Sequence, residues 1–318
     1  MATDATELPP FRFSLQAAQA GSRREWVELV RRADDAGFDM LVTADHLELC
    51  LAPLVPLATA AEVSDRLRLG VMVLNNDFHH PALLARDVAT LDLLSDGRVE
   101  VGLGAGHAEP EYRRAGLPFD GPGTRIDRLE EAVVVLRGLL AGEAVTFAGT
   151  HYRLTEARCQ PLPVQPRVPV LLGGGRRVHR IAARHADAVG FAGLGRVRAD
   201  GQTAEPSRFA PRHVDEDVAA LAQAEAAAER TTPLERQVLV QTVVVTDDAA
   251  AVAARLAEQH APWLTPEVVL ATPYLMVGGV GALVDKLREH RARWGFTHYT
   301  VRGEALGQLE PVMATLLT

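Results

Sequence analysis

A chain of 318 residues, 47% hydrophobic and 23% charged, is long enough to bury one large core, and α/β barrels of this size fold as a single unit. The net charge of −8, with no block of Lys and Arg, excludes the phosphate-backbone footprint of a nucleic-acid binder. Two cysteines, Cys50 and Cys159, build neither a disulfide framework nor a zinc site, and with no apolar run of membrane-spanning length or signal core a soluble, cytoplasmic protein is expected.

Phe11 to Ala18 reads as a first strand and residues 24–36 as a helix, with Trp26, Val30 and Ala33 on one face and Gly37 at its C-terminal cap. Phe38 to Thr43 is a second apolar run, and Asp45-His46 sits just past it. A helix over 53–63 and a strand over 67–74 follow, the strand ending in Asn75-Asn76-Asp77-Phe78-His79-His80. Pro81 suits the first turn of the next helix, where Leu84, Val88 and Leu91 form a stripe. The chain turns at Asp96-Gly97 into a fourth strand, Arg98 to Leu103, whose Val99, Val101 and Leu103 share a face. Gly104 and Gly106 strip side chains from that strand's end, and His107, Glu109, Glu111 and Tyr112 follow at once.

Thr124 suits the cap of a helix whose apolar positions, Ile126, Leu129, Val133, Leu136 and Leu140, step by three and four. Residues 144–162 read as a β-hairpin turning at Ala148-Gly149. Val168 to Leu172 is a fifth strand, leading through Gly173-Gly174-Gly175-Arg176-Arg177 into a helix, and Asp187 to Phe191 is a sixth. Residues 195–236, rich in Gly, Pro, Ala and charge, exceed an ordinary βα loop and are expected as an insertion or lid. Val238 to Val245 and His298 to Arg302 supply the seventh and eighth strands, and Leu309 to Leu317 closes the chain as a helix. Parallel strands need crossover helices, so eight such units point to a single (β/α)8 TIM barrel with insertions over residues 1–318. A doubly wound sheet would ask for Gly-x-Gly-x-x-Gly, and Gly102, Gly104 and Gly106 fail that spacing where His107 stands.

Barrel chemistry gathers at the C-terminal ends of the strands, here Asp45-His46, Asn75-Asn76, Gly104 to His107, Gly173 to Arg177, and Arg302. No His-x-His pair, Gly-x-Ser-x-Gly elbow or Walker lysine occurs, and the adjacent His79 and His80 diverge, so no metal site is expected. Glycines, histidines and neutral-to-basic donors suit a planar, phosphorylated cofactor. Gly173, Gly174 and Gly175 at a helix start offer free N–H groups, and Arg176 and Arg177 add charge: a phosphate cradle, or a plain glycine turn with two solvated arginines.

Asp45-His46, the polar segment ending His80-Pro81, Ser95-Asp96-Gly97-Arg98 leading into Gly-Leu-Gly-Ala-Gly, and Val168 to Gly175 together resemble a known family. It is the bacterial luciferase-like monooxygenase superfamily, and within it the actinobacterial deazaflavin (coenzyme F420) branch. The resemblance implies the same barrel and hydride transfer between coenzyme F420 and a small organic substrate, with reduction of a C=C or C=N bond as the first-choice direction. It places His46 beside the hydride-exchanging atom as proton donor, with Asp45 orienting it or meeting the cofactor's polar edge; the alternative is a strand cap bonded to Asp45. His107 stands where many relatives carry an acid or a tryptophan, and is the second catalytic candidate. Asn75 and Asn76 are matched to the pyrimidine edge of the ring, and a non-prolyl cis peptide is implied at Met72–Val73 against it. Gly104, Gly106, Gly173, Gly174, Gly175, Arg176 and Arg177 complete the cofactor set. Two other readings stay open: an FMN-dependent monooxygenase served by a separate flavin reductase, and a flavin- or ligand-binding barrel without turnover. The resemblance also leaves a homodimer open.

Overall fold

The computed structural model describes residues 9–48, 50–195, 197 and 204–317. Strand and helix alternate from the start: β1 (Arg12–Gln16), α1 (Arg23–Asp35), β2 (Met40–Thr43), α2 (Val55–Val63), β3 (Arg68–Asn75), α3 (Pro81–Leu94) and β4 (Val99–Gly104). After β4 come α4 (Glu109–Ala115), α5 (Pro122–Leu140) and an antiparallel hairpin of β5 (Val145–Ala148) and β6 (Arg153–Ala157). Alternation resumes with β7 (Val170–Gly173), α6 (Arg176–His185), β8 (Ala188–Phe191), α7 (Pro211–Ala227) and β9 (Glu235–Leu239). The last part holds β10 (Thr242–Val245), α8 (Ala249–Gln259), α9 (Pro266–Ala271), β11 (Leu275–Gly278), α10 (Val280–Trp294), β12 (Phe296–Arg302) and α11 (Leu306–Leu316).

Eight of these strands close into a parallel barrel in the order β1-β12-β9-β8-β7-β4-β3-β2. β1 seals the ring, pairing Phe13 with Tyr299 of β12 and Leu15 with Leu41 of β2. Apolar residues of the strands pack with Trp26, Val30 and Ala33 of α1, Leu84 and Val88 of α3 and their counterparts in one continuous core. The lumen, by contrast, is polar. Arg12 reaches Glu100 of β4 at 2.6 Å and Glu235 of β9 at 3.0 Å, strands that are not its neighbours, so these bonds cross the inside of the barrel. The next layer pairs Ser14 with His298 and Gln237 with Thr300, each at 2.6 Å. Gln16 and Arg302 form the layer above, at the C-terminal mouth.

Three expectations change. α5 starts at Pro122 behind Gly121, two residues before the expected Thr124 cap. In the 195–236 segment, residues 211–227 are α7, which crosses from β8 to β9 as an ordinary barrel helix; residues 196 and 198–203 lie outside the described part. The expected seventh strand, Val238 to Val245, divides. The Val240 N–H still bonds Thr300 of the barrel at 2.8 Å, but the Gln241 N–H bonds Tyr274, and β10 pairs with β11 outside the barrel. No helix among the described residues is long and apolar enough to cross a membrane.

Candidate active site

A cavity of about 660 Å³ opens at the C-terminal mouth, and all eight barrel strands or the residues just past them build its wall. Gln16, His46, Asn75, His107, Gly173, Phe191, Leu239 and Arg302 each come from a different strand end.

His46 lies just past β2, with its Nδ1 2.7 Å from Glu111 Oε1. Glu111 is 2% exposed in the first turn of α4, and its second oxygen accepts the Leu47 N–H at 3.4 Å. The His107 ring meets His46 edge-on, with centroids 5.5 Å apart. Asp45 is not the partner of His46. Successive side chains at a strand end face opposite ways, and Asp45 accepts instead from the Asn75 N–H at 2.9 Å and lies 2.8 Å from His79 Nε2. The Glu111 contact was missed because an acid in a first helical turn ordinarily only complements the helix dipole.

The Met72–Val73 peptide is cis, as the resemblance implies, and the β3–β4 register shifts between Val71 and Leu74. Gln16 Nε2 donates to Met72 O at 2.9 Å. A Cβ at Gly104 would sit 2.7 Å from Val73 Cγ2, and one at Gly173 3.0 Å from Val73 Cγ1, so these glycines make room for Val73. Gly106 has φ +73° and approaches Tyr112, where a Cβ would come within 2.0 Å of the hydroxyl. That hydroxyl, kept protonated by burial, donates to Asn75 Oδ1 at 2.9 Å and occupies one expected cofactor contact. Asn76 turns from the cavity altogether, its Nδ2 donating to Tyr152 of the hairpin at 3.3 Å.

Gly173 and Gly174 line the cavity in front of α6, and Gly175 is the residue before that helix. The two arginines behind them face outward. Arg176 bonds Asp217 and Glu216 of α7, both at 2.8 Å, and Arg177 bonds Asp127 and Gly123 O of α5. Neither lines the cavity, so the backbone alone remains of the expected cradle. The cation on the wall is Arg302, whose Nη1 donates to Gln16 Oε1 at 2.5 Å and Nη2 to Gln241 Oε1 at 2.9 Å. Its only sequence signal was its place at the end of the last strand.

A serine–histidine–acid array also exists: His298 stands 2.6 Å from Ser14 Oγ and 3.2 Å from Glu235 Oε2. It is sealed in the lumen, with Ser14 0% and His298 1% exposed and neither on the cavity wall, so no substrate reaches it. Burial would raise the Glu235 carboxyl, but His298 and Arg12 outweigh it and hold it at about 2.

Over residues 8–298 the chain matches the luciferase-like monooxygenase family. It is 35% identical over 181 residues to an F420-dependent glucose-6-phosphate dehydrogenase of Intrasporangium calvum, a match covering 54% of each chain. The chain thus spans about half the length of the curated relatives it matches. Among solved structures it is similar to an F420-dependent secondary alcohol dehydrogenase in complex with an F420-acetone adduct, at 18% identity and TM-score 0.77, covering 97% of this chain and 99% of that one. It is also similar to the monooxygenase RslO1 from Streptomyces bottropensis, at 22% identity and TM-score 0.74, covering 96% and 98%. These two likenesses speak for the fold. With the barrel, the mouth cavity and the match over most of its length, the chain belongs to the luciferase-like monooxygenase family.

Proposed function

We propose that this protein is an oxidoreductase that moves a hydride between coenzyme F420 and a small organic substrate, with His46 handling the accompanying proton. The observation that carries this reading is the His46–Glu111 pair, 2.7 Å apart on the wall of the mouth cavity. The name of the Intrasporangium calvum relative supports the choice of cofactor. The residues fit such a group. Met72, Val73 and Leu74 offer an apolar shelf, and Gly173 and Gly174 leave bare backbone before α6, whose first N–H groups suit a phosphate.

When bound, a deazaflavin supplies a ring carbon that takes or gives a hydride and reacts poorly with O2. Glu111 engages Nδ1 of His46, which leaves Nε2 as the nitrogen that exchanges a proton. In alcohol oxidation Nε2 takes the hydroxyl proton as C–O becomes C=O, and the Glu111 carboxylate balances the imidazolium that forms. In reduction the same Nε2–H returns the proton to the substrate. His107, exposed and edge-on to His46, is placed to pass that proton to solvent.

Equilibrium titration with F420 and with FMN, followed by single-turnover absorbance, tests the reading. F420 should bind about tenfold or more tighter than FMN and exchange a hydride without consuming O2. Preference for FMN with O2 uptake would replace it by a flavin monooxygenase.

A further inference from the structure

We propose that Arg302 receives an oxyanion in the mouth cavity, a carboxylate or phosphate borne by the substrate or by the cofactor's tail. The proposal deepens the hydride-transfer reading and rests on it only for what the bound molecule then undergoes.

Arg302 ends β12, between β1 and β9, and the polar partners it finds there are two neutral amides, Gln16 and Gln241. Among the described residues no carboxylate lies within ion-pair distance of it. Other arginines set into this fold are matched: Arg12 by Glu100 and Glu235, Arg128 by Asp77 and Asp120, Arg137 by Asp187. Arg98 and the buried Arg125 have no ion-pair partner either, yet all three nitrogens of each donate to main-chain carbonyls, those of Ser95, Ser64, Leu67 and Ala61 for Arg98 and those of Ala105, Asp120 and Gly106 for Arg125. Arg302 differs from both kinds, because its Nε meets no acceptor among the described residues and its fork stands at a cavity. Burial lowers its pKa, and a guanidinium stays charged even so.

The carboxylates facing the same space are already engaged: Asp45 by Asn75 and His79, Glu111 by His46. The exposed Glu304, which is not on the wall of this cavity, acts on Arg302 electrostatically without pairing with it. A charge removed from water and left without a counter-charge is costly. The two glutamines fix the fork's orientation while leaving its charge open, which suits bidentate capture of a carboxylate or phosphate. Gln16 also holds Met72 O, so an anion on Arg302 is set in register with the wall on which the cofactor reading depends.

The test compares wild type with Arg302→Gln, which removes the charge, and Arg302→Lys, which keeps the charge and removes the fork. Calorimetric titrations use inorganic phosphate, acetate, F420, and the deazaflavin core without its phosphate-bearing tail. Arg302→Gln should weaken the anion that Arg302 receives by about 10- to 100-fold, and leave the tail-less core unchanged. Arg302→Lys should fall between the two. Loss confined to phosphate or acetate assigns the anion to the substrate; loss for F420 but not its core assigns it to the tail. Equal loss for intact and tail-less deazaflavin would mean that Arg302 merely props Gln16, and no loss for any anion would likewise overturn the proposal. If the wild type binds neither deazaflavin nor FMN, the hydride-transfer reading falls while the phosphate and acetate titrations still decide Arg302. If Arg302→Gln does not fold, Arg302→Lys carries the comparison.

Discussion

His46 and Glu111 stand 65 residues apart in sequence and 2.7 Å apart in space, and the two positions predict different losses. In His46→Ala the glycine backbone and apolar shelf remain, so cofactor affinity should hold while turnover falls by about 10²–10⁴, the usual worth of a positioned acid or base. Glu111→Gln keeps a hydrogen-bonding group beside Nδ1 but loses the charge, and should cut turnover by about 10- to 100-fold with cofactor affinity unchanged. Steady-state rates on cofactor-saturated, folded variants check both. Wild-type turnover in His46→Ala would shift the proton role to His107. The histidine was legible in the sequence because it follows a strand end directly. Its carboxylate was not, because only the packing of α4 against the β2 loop makes them neighbours.

Three successive glycines look alike in sequence, and at the scale of the β7–α6 turn they are not. A Cβ at Gly174 would lie 2.7 Å from Val178 Cγ2, a buried side chain of the helix it introduces, whereas a Cβ at Gly175 meets nothing within 4 Å. Gly174→Val should therefore weaken cofactor binding and also cost about 1–3 kcal/mol of stability through overpacking. Gly175→Ala should change stability by no more than about 0.5 kcal/mol. Urea unfolding with a parallel cofactor titration separates the two, and equal losses at both positions would contradict the packing argument. The same limit on local pattern explains the divided seventh strand. Residues 238–245 are two apolar triplets around Gln241-Thr242, and that polar pair, which an unbroken strand also tolerates, falls where the chain leaves the barrel between Val240 and Gln241.

Across the whole molecule, acid should be the weak side. His179 of α6 and His290 of α10 are each 3% exposed, and burial lowers them to about 4 and about 3 from 6.5. The unfolded chain therefore binds these protons first. Their contribution is complete above about pH 6.5 and is lost as pH falls through the folded values, at most about 3 kcal/mol for His179 and about 5 kcal/mol for His290. Glu235, held at about 2, adds its own loss below its unfolded value near 4.5. The urea midpoint should fall steadily from pH 7 to pH 4, with a shallower slope in His290→Leu. A midpoint flat over that range would show that these imidazoles are solvated in the folded state.

The alternation of apolar runs and helical stripes in the amino-acid sequence was enough to determine a parallel barrel, because consecutive parallel strands can be joined only through crossovers. It also determined which strand ends carry histidine, asparagine and glycine, and the family resemblance located the peptide that is cis at Met72–Val73. The tertiary structure alone decided the partners. Glu111 and not Asp45 holds His46, Arg176 and Arg177 serve α7 and α5 on the outside, and Arg302 faces the cavity between two amides. Periodicity is a property of a few neighbouring residues, whereas these contacts follow from strand register and the paths of the crossovers, which bring together side chains that share no local pattern.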